Sequence, residues 1–316
     1  MERRGLCSLG HKQTINYKNN TPMMTNEMKK KVLAALAVAR DNFAGSDAKF
    51  AVSLGINSAQ YSRIKNGETE RVLSDQNWIS LARHLGVNLT NQPEWKTAAT
   101  PVFQFITAQL DLCQSASMSA MLCDLSDIGK TYTAQHYAKT HKNAVYIDCS
   151  QVKSKTRLVR TIAKSFGVGS TGRLTDVYED LVYYLKTLPN PLIILDEAGD
   201  LNYEAFLEIK ALWNATDGMC GWYMMGADGL KAKVQRAIDN RKVGYTELFS
   251  RFGKRYLTVV PMEAEERTKM TQATAMMIIK ANCKEGTDAG AILRRTMGED
   301  GMPSLRRIHK ELMKEA

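Results

Sequence analysis

Met121-Leu-Cys-Asp-Leu-Ser-Asp-Ile-Gly-Lys-Thr-Tyr132 joins an apolar run, Met118 to Cys123, to a helical stretch around 130–141. A short apolar run passing into helical periodicity places these residues at a strand-to-helix turn. Backbone amides in such a turn wrap a phosphate at a helix N-terminus, where the helix dipole favours negative charge. Asp124, Leu125, Ser126, Asp127, Ile128, Gly129, Lys130, Thr131 and Tyr132 are therefore the candidate nucleotide contacts. Lys130 reaches the β and γ phosphates, and Thr131 offers its hydroxyl to magnesium. The pattern G-x-x-x-x-G-K-[ST] opens on glycine, whereas this chain has Asp124, a negative charge near phosphates that is expected to weaken affinity. Gly-Lys-Thr alone also arises by chance, so a second motif bears on the reading.

That motif is Pro-Leu-Ile-Ile-Leu-Asp-Glu at 191–197. Its apolar strand delivers two carboxylates at the C-terminal end, the edge where open α/β sheets bind ligands. Asp196 is expected to hold magnesium, directly or through water, and Glu197 to polarise the water that attacks the γ-phosphate. The alternative is that both merely cap the next helix.

Outward from these motifs, short apolar runs at 144–148 and 222–226 alternate with helical stretches at 155–188 and 203–215. The pattern predicts an α/β fold with a parallel sheet. A fifth strand is expected at 256–260, and a helical C-terminal region from 262 onward. Upstream, 25–90 is helical in period, and Asn88 to Thr100 reads as a linker. Asp47 to Asn57 and Ser58 to Gly67 read as helix, glycine-containing turn and second helix. In a helix-turn-helix, the second helix enters the major groove of DNA. Ser58, Gln60, Tyr61, Arg63 and Lys65 are its candidate contacts, and a helical hairpin for protein contacts is the alternative. Residues 1–24 are expected to be a disordered leader, with Met23, Met24 or Met28 as alternative starts.

Composition narrows the class. At 316 residues and 44% apolar, the chain can bury full cores, which excludes general disorder. It has no apolar run long enough to span a membrane and no apolar signal segment, so a soluble cytoplasmic protein without a membrane partner is expected. Cys7, Cys113, Cys123, Cys149, Cys220 and Cys283 are scattered without metal-type spacing, as expected of reduced, mostly buried thiols. A net charge of +10 favours a polyanionic partner, nucleic acid first. Residues 229–260 hold eight basic side chains against two acidic, and 151–160 hold four against none. In Glu247-Leu-Phe-Ser-Arg-Phe-Gly-Lys-Arg255, Arg251 first and Arg255 second are candidates to stabilise phosphoryl transfer in a neighbouring subunit. Either equally fits a DNA phosphate or a surface carboxylate. Arg306, in Leu305-Arg-Arg307, is a candidate nucleotide sensor or a solvated helix end.

The two motifs, Met-Met-Gly at 224–226, and Phe-Ser-Arg followed by Lys-Arg at 249–255 resemble an AAA+ ATPase. The order of a helix-turn-helix domain before the ATPase narrows the resemblance to the phage Mu B type of transposition ATPase and its transposon-encoded relatives. The resemblance spans 25–315. It implies a helix-turn-helix DNA-binding domain at 25–90, a linker and entry helix at 91–112, a P-loop AAA+ core at 113–261 and a helical lid at 262–316. It also implies ATP and Mg2+ as cofactors, while the departures at Asp124 and Ala227 lead to the expectation of slow hydrolysis that depends on stimulation. The implied partners are double-stranded DNA bound without much sequence choice, further copies of the chain in a filament or ring, and a DDE-type transposase. Lys153, Lys155, Arg157, Arg160 and Arg173, placed after the second strand, would touch DNA phosphates, with a solvated face as the alternative. Ala227 and Asp228 replace the polar residue that helps position the lytic water, leaving Asp228 as a nucleotide contact. A helicase or replication-initiator loader, or a DNA-binding regulator with a degenerate nucleotide site, remain the alternatives.

Overall fold

The computed structural model describes residues 24–89 and 95–314. Four apolar runs pair in parallel as β1 (Ser119–Cys123), β2 (Ala144–Asp148), β3 (Leu192–Asp196) and β4 (Gly221–Gly226), in the order β1-β4-β3-β2. Side chains alternate across a strand, and here both faces are covered, so the strands are apolar at most positions. Ile193, Leu195, Trp222 and Met224 enter one core, while Leu192, Ile194, Tyr223 and Met225 enter the other.

Four N-terminal helices, α1 (Asn26–Asp41), α2 (Asp47–Leu54), α3 (Ser58–Lys65) and α4 (Asp75–Leu85), close around Phe50, Tyr61 and Trp78. Helices α5 (Pro101–Ser115) and α6 (Lys130–Thr140) cover one sheet face. The other is covered by α7 (Lys155–Ser165), α8 (Leu174–Thr187), α9 (Tyr203–Ala215), α10 (Asp228–Asp239) and α11 (Tyr245–Arg251). The C-terminal helices α12 (Ala264–Asn282), α13 (Ala289–Thr296) and α14 (Leu305–Lys314) share a small core of Ala275, Ile279, Ile292, Ile308 and Leu312.

The N-terminal helices dock on the α/β unit. Lys49 Nζ lies 3.4 Å from the Tyr184 ring centroid, and Asn42 Nδ2 donates to the Lys139 carbonyl at 2.8 Å. Between the two units, residues 95–100 run against the C-terminal helices. Lys96 N donates to Asn282 Oδ1 at 2.8 Å, Asn282 Nδ2 donates back to the Lys96 carbonyl at 3.0 Å, and Trp95 packs on His309.

Three sequence expectations change, and one stretch left unassigned from sequence takes shape. The helical stretch at 155–188 breaks in two, because Gly167 takes the left-handed conformation (φ +70°) and the Val168 amide closes on the Ala163 carbonyl, ending α7. The basic stretch after 228 folds as α10 and α11, with Leu230, Val234 and Leu248 buried beneath the charges. The fifth strand reduces to a single parallel bridge between Leu257 and Leu122. Residues 1–23 of the expected leader, and 90–94 of the linker region, lie outside the described residues, but Met24, assigned to the leader, is buried in the N-terminal core.

Candidate nucleotide site

The turn after β1 is held open for an anion. Gly129 adopts φ +97°, and α6 begins at Lys130 with no side chain capping its first turn, which leaves amide donors facing outward. Ile128 is buried and Leu125 half-buried in the core beneath the loop, so apolar packing fixes it from below. Lys130 is buried, its Nζ donating to the Asp124 carbonyl at 2.9 Å and to the Leu125 carbonyl at 2.5 Å. Burial lowers its pKa, against the opposing pull of Asp124, Asp196, Glu197 and Asp228. A buried ammonium held only by carbonyl dipoles has much to gain from a phosphate.

Strand β3 carries Asp196 to the sheet edge at 1% exposure. Its Oδ2 accepts from the Thr131 hydroxyl at 2.7 Å and from the Tyr146 hydroxyl at 2.9 Å, while Oδ1 accepts from the Glu197 amide at 2.9 Å. Burial and the Asp196 charge push the Tyr146 phenol up, so it stays a donor. The sequence reading missed Tyr146, whose only signal is one polar residue within the apolar run Ala144-Val-Tyr-Ile147. Glu197, next to Asp196 in the chain, sits exposed in the left-handed region (φ +49°), a sparsely populated conformation for a residue other than glycine. Partial loss of water, and then the Asp196 charge, raise its pKa.

A hydroxyl and a carboxylate in contact suit a hard cation such as magnesium. Among the described residues no group of three or more His, Cys, Asp or Glu side chains is placed to enclose a metal by itself, so Thr131 and Asp196 would share the ion with phosphate and water. Held by these two residues, magnesium would neutralise phosphate charge. A cavity of about 390 Å3 opens beside the loop, walled by Val102, Leu125 and Ile128 on one side and Met270, Met302 and Leu305 on the other.

Residues 113–234 match the family described as AAA domain. The chain is also similar to the Mu-like prophage FluMu DNA transposition protein B of Haemophilus influenzae, 25% identical over 214 residues, 66% of this chain and 73% of that protein. Among solved structures, NtrX from Brucella abortus in complex with ATP aligns at a TM-score of 0.39 and 15% identity, over 80% of this chain and 62% of that one.

Within the matched residues, Asp124 has a different task from the one expected. It is 5% exposed, and its Oδ2 accepts from the Val259 and Val260 amides at 2.5 and 3.0 Å while Oδ1 accepts from Leu125 N at 2.7 Å. The carboxylate therefore clasps the chain leading to the C-terminal helices, in place of the extra strand pairing that the fifth strand would have supplied. Asp127, at φ +57°, faces the same helices: its Oδ2 accepts from the Ser304 hydroxyl at 2.8 Å and the Arg306 amide at 3.5 Å, and Arg306 Nε lies 3.8 Å from Oδ1. Ser304, also missed from sequence, sits just before the first turn of α14 and ties it to the phosphate loop. Ser126 is exposed on the loop, and Asp228 opens α10 at the end of β4. Tyr132 turns away: its hydroxyl pairs with Thr97 Oγ1 at 2.6 Å, bringing the 95–100 segment to α6.

Beyond the AAA match, Arg251 is tied within its own subunit. Its Nε donates to Asn214 Oδ1 at 2.6 Å, Nη1 donates to the Glu247 carbonyl at 2.9 Å, and the guanidinium lies over Trp213. Arg255 is exposed. Several expected DNA contacts are likewise engaged. Tyr61 is 3% exposed in the N-terminal core, which corrects its assignment to a base-reading surface. Gln60 forms a capping box with Asn57, Arg63 pairs with Glu68 at 2.8 Å, and Lys65 pairs with Asp47 at 2.9 Å; Ser58 is exposed. On the α/β unit, Lys153 pairs with Asp200 and Lys155 with Glu208, and Arg160 donates to the Ser170 and Gly172 carbonyls, shaping that loop. Arg157 and Arg173 are exposed. No described helix is long and apolar enough to cross a membrane.

Proposed function

We propose that this chain is an ATP-dependent DNA-binding ATPase of transposition, which assembles on duplex DNA and presents it to a DDE-type transposase. The observation that carries the hydrolytic part is the contact of Thr131 with Asp196 beside the buried Lys130, with Glu197 at the mouth. Lys130 holds phosphate oxygens, Thr131 and Asp196 hold magnesium, and Glu197 accepts a proton from the attacking water. The transposition role is supported by similarity to the Haemophilus influenzae transposition protein B. DNA contact is assigned to the α2–α3 pair, through Ser58, Arg63 and Lys65, and to Arg157 and Arg173, whose phosphate contacts would give affinity with little sequence choice. Arg63 and Lys65 exchange their carboxylate partners for phosphate on binding. Arg255 takes the role in a neighbouring subunit's site, since Arg251 would first have to leave Asn214 and Trp213.

Of Asp124 and Ala227, which together motivated the degenerate-site alternative, Asp124 is accounted for by its three backbone partners. The test is phosphate release by the wild type and Lys130→Ala, each with and without duplex DNA. DNA-stimulated release by the wild type alone is expected, and release no greater than that of Lys130→Ala in the presence of DNA overturns the proposal.

A further inference from the structure

The cavity beside the phosphate loop contains one hydroxyl with nothing to bond. Thr274, in α12, is 4% exposed, and its Oγ1 has no hydrogen-bond partner. Helical threonines ordinarily spend the hydroxyl on the carbonyl one turn back. Thr133, Thr216, Thr268, Thr271 and Thr296 all do so, bonding Gly129, Leu212, Ala264, Arg267 and Ile292. Thr274 does not, although a buried, unbonded hydroxyl is destabilising. Of the other polar groups lining the cavity, Asp127 holds Ser304, Asp300 accepts from the Met302 amide at 3.0 Å, Thr271 bonds its own helix, and Ser126 is exposed on the loop. Val102, Ile128, Val260, Met270 and Met302 form apolar walls.

A largely apolar slot of about 390 Å3 with one buried, unbonded hydroxyl suits a flat heteroaromatic ring carrying a hydrogen-bonding edge. Its floor is the loop itself, through Leu125, Ser126 and Ile128, so ring and phosphates would belong to one molecule. We infer that Thr274 is the residue that reads the base of the bound nucleotide, its hydroxyl remaining unpaired until the base arrives. Because Thr274 lies on α12, the same bond draws the C-terminal helices onto the AAA domain when the site fills.

This inference rests on the nucleotide-site reading above, and the two fail differently. Calorimetric titration of the full chain with ADP and with pyrophosphate, each with magnesium, separates base from phosphate. The wild type is expected to bind ADP more tightly than pyrophosphate. Thr274→Val keeps the shape and removes the hydroxyl, so ADP affinity should fall about tenfold while pyrophosphate binding stays unchanged. The same variant, free of ligand, should melt a few degrees higher, because an unbonded buried hydroxyl has been removed. Thr274→Ser should bring ADP affinity back to within about threefold of wild type. Unchanged ADP affinity in Thr274→Val, or parallel weakening of ADP and pyrophosphate, overturns the role of Thr274 and leaves the phosphate site standing. A wild type that binds neither ligand overturns both.

Discussion

Replacing Asp124 by glycine makes the loop a closer match to its motif and should nonetheless damage the protein. The carboxylate accepts from three amides, Leu125 at 2.7 Å, Val259 at 2.5 Å and Val260 at 3.0 Å, and is 5% exposed. Hydrogen bonds to a charged group contribute about 1.5–3 kcal/mol each, and a buried donor left without a partner costs about 1–3 kcal/mol. Val260 is 6% exposed and has no nearby substitute acceptor among the described contacts, so its amide bears most of this cost; Val259 and Leu125, half-buried, bear less. Together with the added backbone freedom of glycine, about 0.5–1 kcal/mol, the loss comes to roughly 4 kcal/mol. At about 2–4 °C per kcal/mol, that lowers the melting midpoint by roughly 10 °C. Asp124→Asn keeps an acceptor without the charge and should lose about half as much. Thermal melts of the three proteins, with ADP titrations beside them, make the comparison. If Asp124→Gly melts within about 2 °C of wild type, or binds ADP more tightly, Asp124 is not the clasp described here.

Gly167→Ala should loosen the docked N-terminal helices. The site has φ +70°, and a Cβ there would lie 2.2 Å from the Lys49 carbonyl oxygen and 2.7 Å from its carbon, so α2 must move. A cost of about 2–4 kcal/mol and faster proteolytic release of residues 24–89 are expected; a digestion pattern like that of wild type would show that the contact is not maintained in solution. Glu197→Gln should bind ADP within about threefold of wild type and hydrolyse ATP about 100- to 1,000-fold more slowly. Because the Glu197 pKa is raised above 4.5, first by burial and then by Asp196, the ionised base is lost as pH falls through that raised value. The wild-type rate should therefore climb with pH along an acid limb that is missing from the residual activity of Glu197→Gln. An identical limb in both would assign the titration to another group.

Much of this molecule is written in local sequence. The apolar runs ending at Cys123 and Asp196 are strands because they are short, continuous and bounded by turn residues, and a sheet covered on both faces needs such runs. Gly129-Lys-Thr131 and Asp196-Glu197 declare themselves because phosphate and magnesium chemistry demands those residue types at adjacent positions. Two helices under the basic stretch after 228 were hidden, since charges at most positions mask Leu230, Val234 and Leu248. Tyr61 shows the converse: its place in a helix was legible, but whether it faced DNA or the core depended on Phe50, against which it packs edge-on.

The sequence by itself determined the parallel α/β alternation and the candidate residues for a phosphate, because both follow from periodicity and short-range chemistry. Only the tertiary structure decided what Asp124, Asp127 and Thr274 do. Their partners or surroundings, Val260 and Ser304 and the cavity beneath α12, lie far along the chain and come into reach only when the C-terminal helices fold back over the loop. A carboxylate or hydroxyl takes its role from the donors and acceptors within about 3 Å of it, and chain order does not specify those neighbours.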